Sequence, residues 1–112
     1  MAFSVREFVT ADGRSPFREW LSTLDVAVRA RIQVRILRFE SGNLGDHKSV
    51  GNGVCEARMP FGSGYRLYFG REGNKIVVLL VGGDKSSQNK DIRLAQRYWD
   101  EYLKETHHGK EK

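Results

Sequence analysis

The chain has 112 residues, of which 39% are hydrophobic and 29% are charged. This length is that of one domain with a single core, and this balance excludes a disordered chain. The 19 Lys and Arg residues exceed the 14 Asp and Glu residues, so the net charge is +5. Such a charge favours a polyanionic partner, either nucleic acid or an acidic protein.

The chain also lacks the features of several protein classes. No apolar run approaches the roughly 20 residues that a membrane helix needs, and the longest, Ile76–Val81, has the length of a strand. The first residues, MAFSVREFVT, show no signal-peptide pattern, so we expect no secretion. The single cysteine, Cys55, excludes an intrachain disulfide and a multi-cysteine zinc site. The expected location is therefore a reducing cytoplasm.

The first part of the chain predicts one strand and two helices. Residues 3–10 have the apolar pattern of a short strand. Ser15 and Pro16 are a typical N-cap and first helical residue, and apolar residues at helical spacing follow to Leu24. Over residues 26–40 the apolar residues at first alternate as in a strand, but the segment is too long for one. We therefore predict a second helix there.

That second helix has one apolar stripe, formed by Val28, Ile32, Ile36 and Phe39. The arginines of the segment are expected to lie largely off this stripe: Arg29, Arg31, Arg35 and Arg38. Gly42 is suited to a left-handed cap that ends the helix.

The second half of the chain predicts four antiparallel strands and a last helix. The strands are expected over residues 47–50, 54–59, 65–71 and 75–81. The last of them is apolar throughout, which is typical of a central strand covered on both faces. Gly82 and Gly83 are expected to release the chain, and Ser86 or Ser87 to cap a helix that runs to about Lys104.

Together these elements predict an α+β fold, with the helices packed on one face of an antiparallel sheet. The whole chain, 1–112, is expected to form a single domain, with a flexible tail from about residue 105.

Alternation along two neighbouring strands predicts a cluster of arginines. Val54, Glu56 and Arg58 should share one face, as should Arg66 and Tyr68 in the next strand. Because a hairpin joins the two strands, Arg58 and Arg66 should be neighbours, and two such cations repel unless an anion lies between them. That anion is either a carboxylate of the protein, from Glu56 or Asp46, or a bound phosphate, which a guanidinium holds with two parallel hydrogen bonds.

Other residues carry weaker signals. The loop GGDKSSQNKDI opens a helix and has the character of an anion site, with Lys85 as an added charge, although an ordinary strand-to-helix connection explains it as well. His47 beside Lys48 is a possible proton carrier or simply a solvated strand edge. Cys55 should lie on the other face of the strand from Arg58, in the core. No residue spacing suggests a metal, and we expect no cofactor.

Two long runs resemble a known family: VGNGVCEARMPFGSGYRLYFG over 50–70, and KIVVLLVGGDKSSQNKDIRLAQRYWDEY over 75–102. They are similar to the phage-derived, HigB-like "addiction module killer protein" branch of the RelE/ParE toxin superfamily. The resemblance extends from about Phe17 to Tyr102. Its most specific pieces are GYR at 64–66, VGNGVxExR at 50–58 and GGDKSxQxxDI at 82–92.

The resemblance implies a RelE-like fold, similar to that of microbial RNases, and a toxin that cleaves mRNA in the ribosomal A site without a metal. The 2′-OH of the substrate attacks the adjacent phosphate, while protein groups act as base, as acid and as cations that hold the phosphorane charge. The implied catalytic residues are Arg66, Arg58, Lys85, Lys48 and His47. The implied RNA-binding residues are Arg58, Arg66, Tyr68, Lys85, Ser86 and Gln88.

Relatives of the RelE type carry a tyrosine after the last strand that stacks on the mRNA base, whereas this chain has SSQNKDI there. The base and the acid therefore stay unassigned among Lys48, His47 and Lys85. The resemblance also implies the partners, namely a helix-turn-helix antitoxin, the ribosome with its mRNA, and DNA only through the antitoxin; no membrane is expected. Two alternatives remain, a ParE-like gyrase inhibitor and a non-catalytic protein that binds an antitoxin.

Overall fold

The computed structural model describes residues 2–110, with side chains to residue 106. Over this range the chain forms five strands and three helices. The strands are β1 (Ser4–Glu7), β2 (His47–Gly51), β3 (Val54–Met59), β4 (Tyr65–Glu72) and β5 (Ile76–Gly83). The helices are α1 (Pro16–Ser22), α2 (Val26–Glu40) and α3 (Gln88–Lys110), the last preceded by a 3-10 turn (Lys85–Ser87). The predicted α+β class is confirmed. Within the described residues, no helix is both long enough and apolar enough to cross a membrane.

The strands form one sheet in the order β1-β5-β4-β3-β2. As predicted, β2 to β5 are antiparallel neighbours. The prediction of a purely antiparallel sheet is wrong, because β1 runs parallel to β5, with Ser4 opposite Ile76. The partner of β1 follows about 70 residues later in the chain, so no local turn signal shows the direction of this pairing.

The helices cover both faces of the sheet, which corrects the prediction that they share one face. α1 and α2 pack on the face that carries Ala57, Leu67 and Val77, which we call the helix-pair face. α3 packs through Ala95 and Trp99 on the opposite face, which we call the α3 face. Because both faces are covered, β5 is apolar at successive positions, as the sequence predicted for this strand.

The helix ends show how well the local signals predict the structure. The Ser15 hydroxyl accepts the N–H of Arg18 at 3.1 Å, so the predicted cap of α1 is confirmed. α2 has the predicted bounds, and Gly42 has a φ of 95°. α3 extends to Lys110, six residues beyond the predicted end at Lys104. The tail predicted from about residue 105 is therefore helical as far as 110, and residues 111–112 lie outside the described residues.

Gly82 and Gly83 are the last two residues of β5. The sequence had placed them in the connection after the strand. Each lies where another side chain needs space. A Cβ on Gly82 would lie 2.2 Å from Cε3 of Trp20, and a Cβ on Gly83 would lie 1.8 Å from Oδ2 of Asp91. The two glycines thus let α1 and the start of α3 approach this end of the sheet from opposite faces.

Arg35 of α2 is buried, although the sequence predicted it largely off the apolar stripe. Its guanidinium donates to three backbone carbonyls, those of Arg58 at 2.7 Å, Leu44 at 3.0 Å and Asp46 at 2.7 Å. These carbonyls belong to the end of β3 and to the segment before β2. Arg35 therefore connects the helix pair to the outer strands of the sheet.

We expect Arg35→Ala to lower the free energy of unfolding by about 3 kcal/mol, because buried carbonyls lose their donors. Urea denaturation measures this change. Arg38→Ala is the matched control, since Arg38 is an exposed arginine of the same helix, and we expect it to change the free energy of unfolding by less than about 0.5 kcal/mol. Equal losses in the two variants would contradict this account of Arg35.

Candidate anion-binding site

Arg58 of β3 and Arg66 of β4 lie directly opposite each other in the sheet register, and Glu56 lies opposite Tyr68. Cross-strand partners point to the same face of a sheet, and Tyr68 belongs to the core that α3 covers. These four residues are therefore neighbours on the α3 face, as alternation along the strands predicted. We call them, together with Gln88, the arginine cluster.

A buried carboxylate lies between the two arginines. The side chain of Glu56 has no exposed surface, and its Oε1 lies 3.8 Å from Nε of Arg58 and 3.9 Å from Nε of Arg66. The sequence left open whether a carboxylate or a phosphate separates the cations, and the structure places the Glu56 carboxylate there. Both distances exceed that of a hydrogen bond, so Glu56 attracts both arginines without a hydrogen bond to either Nε.

The cluster retains an excess of positive charge and unused donors. Two guanidinium groups and one carboxylate leave a formal charge of +1. Within the part of the chain that the structure describes, Nε of Arg58, Nε of Arg66 and Oε1 of Glu56 are buried without a hydrogen-bond partner. The Arg58 side chain is 41% exposed and that of Arg66 is 13% exposed. A small anion from solvent would therefore meet the terminal nitrogens of both guanidinium groups and not the buried Nε atoms.

The second oxygen of Glu56 connects the sheet to α3. Oε2 accepts the hydroxyl of Tyr68 at 3.2 Å and the side-chain amide of Gln88 at 2.8 Å. Burial, together with the nearby Glu56 carboxylate, raises the pKa of Tyr68 well above its usual value, so its hydroxyl stays protonated and donates. Gln88 is the first residue of α3. Its amide N–H is therefore used inside the protein, although the sequence predicted an RNA contact.

Lys85 lies beside the turn between β3 and β4. Its backbone N–H donates to the carbonyl of Ser63 at 3.5 Å, and a Cβ on Gly64 would lie 3.5 Å from the Cβ of Lys85. The turn leads directly into the start of β4 and hence to Arg66. The exposed Lys85 side chain therefore belongs to the same end of the sheet as the arginine cluster.

Ser86 lies at the start of the helical segment, and its backbone N–H already has an anionic partner. The carboxylate of Asp84 accepts both the backbone N–H of Ser86, at 2.9 Å, and the Ser86 hydroxyl. These hydrogen bonds lower the pKa of Asp84. This favours the ordinary strand-to-helix connection over a phosphate site at this loop, and it leaves Ser86 poorly suited to the predicted RNA contact.

The structure separates His47 from Lys48. His47 lies opposite Ala57, and its ring centroid is 6.1 Å from that of Phe69, so it belongs to the helix-pair face. Lys48 lies opposite Glu56 and is exposed on the α3 face. The structure therefore brings Lys48, and not His47, to the face of the arginine cluster, since adjacent residues of a strand point to opposite faces.

Sequence reasoning did not assign Glu56 its central position. It treated this residue only as one possible partner of the arginines. A signal was present, because the acidic Glu56 lies between Val54 and Arg58 on the face of β3 that α3 covers. Such a residue at a buried position is rare unless it is paired.

Cys55 lies on the helix-pair face, away from the arginine cluster, as predicted. Burial raises the pKa of its thiol, which makes the reactive thiolate scarce at neutral pH. In the part of the chain that the structure describes, no three His, Cys, Asp or Glu side chains group as metal ligands.

We therefore expect Cys55 of the folded protein to react with a chromogenic disulfide reagent at pH 7.5 at least about tenfold more slowly than the urea-unfolded chain. The release of the coloured thiol measures both rates. Raising the pH should accelerate the reaction of the folded protein, because the thiolate fraction rises. A native rate equal to the unfolded rate would contradict the burial of this thiol.

The fold and the cluster define an α+β protein with a cationic site at the end of its central strands. No family model matches the chain. It is 47% identical over 81 residues to an uncharacterized protein of Haemophilus influenzae, a match that covers 71% of this chain and 82% of that protein. The chain belongs to the same family as that protein. That relative is uncharacterized, so the match shows the family and no activity.

Proposed function

We propose that the chain is the toxin of a type II toxin–antitoxin pair, with a RelE-like fold and a metal-independent endoribonuclease activity on mRNA in the ribosome. One observation carries the proposal. The three motifs of the resemblance meet at the Glu56 carboxylate, because VGNGVxExR contributes Arg58, GYR contributes Arg66 and GGDKSxQxxDI contributes Gln88.

The cluster supplies what RNA cleavage by an internal nucleophile requires. The 2′-oxygen forms a bond to phosphorus and the bond from phosphorus to the 5′-oxygen breaks, which yields a cyclic phosphate and a free 5′-hydroxyl. Negative charge grows on the phosphoryl oxygens, and fixed cationic donors stabilise this charge most effectively. Arg58 and Arg66 would hold those oxygens. Lys48, opposite Glu56 in the sheet, and Lys85, beside the β3–β4 turn, are the candidates to exchange protons with the 2′- and 5′-oxygens.

The proposed partner is a helix-turn-helix antitoxin encoded beside this gene, in the cytoplasm where the ribosome is. DNA would be bound only through that antitoxin. α2 offers a surface for a protein partner that is separate from the arginine cluster. Its solvent side exposes Val26, Val34 and Leu37, at 72%, 46% and 62%, beside the exposed Arg31 and Arg38. Apolar residues with neighbouring arginines are typical of protein interfaces.

Replacement of Arg66 tests the proposed activity. We expect Arg66→Lys to lower the rate of mRNA cleavage by about 100-fold, because a single ammonium cannot reproduce the guanidinium fork, and Arg66→Ala to abolish toxicity. Arg58→Ala should weaken the toxicity without abolishing it. Arg71→Ala is the matched control, since Arg71 lies in the same strand but packs over Phe3 on the helix-pair face.

The measurement is induction in bacteria, with protein synthesis, new mRNA ends and DNA supercoiling followed over time. Rapid translation arrest with new mRNA ends supports the nuclease. DNA breaks with an SOS response would instead support a gyrase inhibitor, and the absence of any growth defect a non-catalytic protein. Full toxicity of both Arg66 variants would remove the arginine cluster from the mechanism.

The separation of His47 from Lys48 gives a second test. We expect Lys48→Met to slow cleavage at least about tenfold, because a charged or proton-exchanging group leaves the α3 face. His47→Gln should keep the wild-type rate, since its ring lies on the other face. Both rates are measured as cleavage of mRNA on ribosomes by the purified variants. The reverse order of effects would show that the substrate lies on the helix-pair face.

A further inference from the structure

We infer that Glu56 is a positioning residue, whose buried carboxylate holds both guanidinium groups of the cluster in the orientation that grips a phosphate. This inference rests on the proposed function for its kinetic consequence. Its structural part concerns the free protein and can be tested without any activity.

The burial of Glu56 is unfavourable for stability alone. The side chain is fully buried, and its Oε1 has no hydrogen-bond partner among the described residues. A buried charge with incomplete hydrogen bonding destabilises a fold relative to an apolar residue of similar size. Val54, two residues earlier on the same face, shows that this face of β3 accepts an apolar side chain. The carboxylate therefore has a role that an apolar core does not fulfil.

The geometry indicates that role. Arg58 and Arg66 are directly opposite in the sheet and repel each other. Oε1 of Glu56 lies nearly equidistant from the two Nε atoms, at 3.8 Å and 3.9 Å, and attracts both. This attraction orients both groups toward a common point without using any of their hydrogen-bond donors. The terminal nitrogens of both groups stay available for phosphate oxygens, since only the Nε atoms are buried against the carboxylate.

The charge of the cluster sets the balance between binding and catalysis. Two guanidinium groups and one carboxylate give +1, so the complex with a singly charged phosphodiester is formally neutral. Replacing Glu56 by glutamine would raise the charge of the complex to +1 and favour anion binding in the ground state. It would also remove the attraction that orients the arginines, so the transition state would lose stabilisation.

The same carboxylate aligns α3 with the sheet. Oε2 accepts from Tyr68 of β4 and from Gln88 at the start of α3. A glutamine at position 56 can still accept these two hydrogen bonds through its amide oxygen. Glu56→Gln therefore changes the charge while it retains the shape and the contacts of the second oxygen.

The kinetic test compares purified full-length wild type with Glu56→Gln on ribosomes programmed with mRNA. We expect kcat to fall about 100-fold while KM stays equal or falls. Glu72→Gln is the matched control, because Glu72 is a carboxylate of β4 that accepts the hydroxyl of Tyr102 outside the arginine cluster; its kcat should stay within about threefold of the wild type. A wild-type kcat for Glu56→Gln would overturn the inference, as would a rise in KM with kcat unchanged.

Glu56→Asp keeps the inference testable if Glu56→Gln does not fold. It retains the charge and withdraws the carboxylate by one methylene, so we expect an intermediate kcat at unchanged KM. A folded Glu56→Asp protein with the kcat of the wild type would overturn the inference.

An NMR measurement separates this inference from the proposed activity. The Nε–H resonances of Arg58 and Arg66, assigned with Arg58→Lys and Arg66→Lys, should exchange slowly with water in the wild type and at least about tenfold faster in Glu56→Gln. Unchanged exchange would overturn the positioning role. Faster exchange in a protein whose wild type cleaves no RNA would retain the positioning role and reject the nuclease.

Discussion

The attraction between one buried carboxylate and two opposed guanidinium groups is the interaction on which the site depends. Glu56 contributes one oxygen to Arg58 and Arg66 and the other to Tyr68 and Gln88. Two strands and the start of a helix are thus joined through a single side chain. The covering of both sheet faces makes this possible, because a carboxylate on an open face would be hydrated and would interact with its neighbours only weakly.

The sequence could predict the shared face of the arginines because that prediction needs only local information. Side chains alternate with a period of two in β3 and β4, and the turn over residues 60–64 sets the register of the hairpin. The same rule, applied to His47 and Lys48, would have shown that only Lys48 can face the cluster. Alternation therefore predicts which side chains share a face with the arginines, whereas the treatment of two adjacent residues as one motif does not.

The remaining differences come from contacts between distant parts of the chain. β1 pairs with β5 across most of the sequence, and no turn residue reports its direction. The place of α3 on the second face depends on Trp99 meeting the backbone of Gly70, where a Cβ would lie 2.3 Å from the ring. Glycine in a strand pattern signals a close approach, but the sequence alone does not show which ring makes it.

In a chain with many arginines, the hydrogen bonds that each guanidinium group makes within the protein distinguish structural arginines from ligand-binding ones. Arg35 is buried and donates to three backbone carbonyls, so it has little left for a ligand. Arg14 uses two of its nitrogens on Glu19, at 2.8 Å and 2.7 Å. Arg66 is nearly as enclosed as Arg35, yet its guanidinium makes no hydrogen bond within the described residues, whereas Arg35 leaves only its Nε without a partner. Enclosure with unused donors is an unfavourable state for a purely structural arginine, and it is the state that a phosphate ligand relieves.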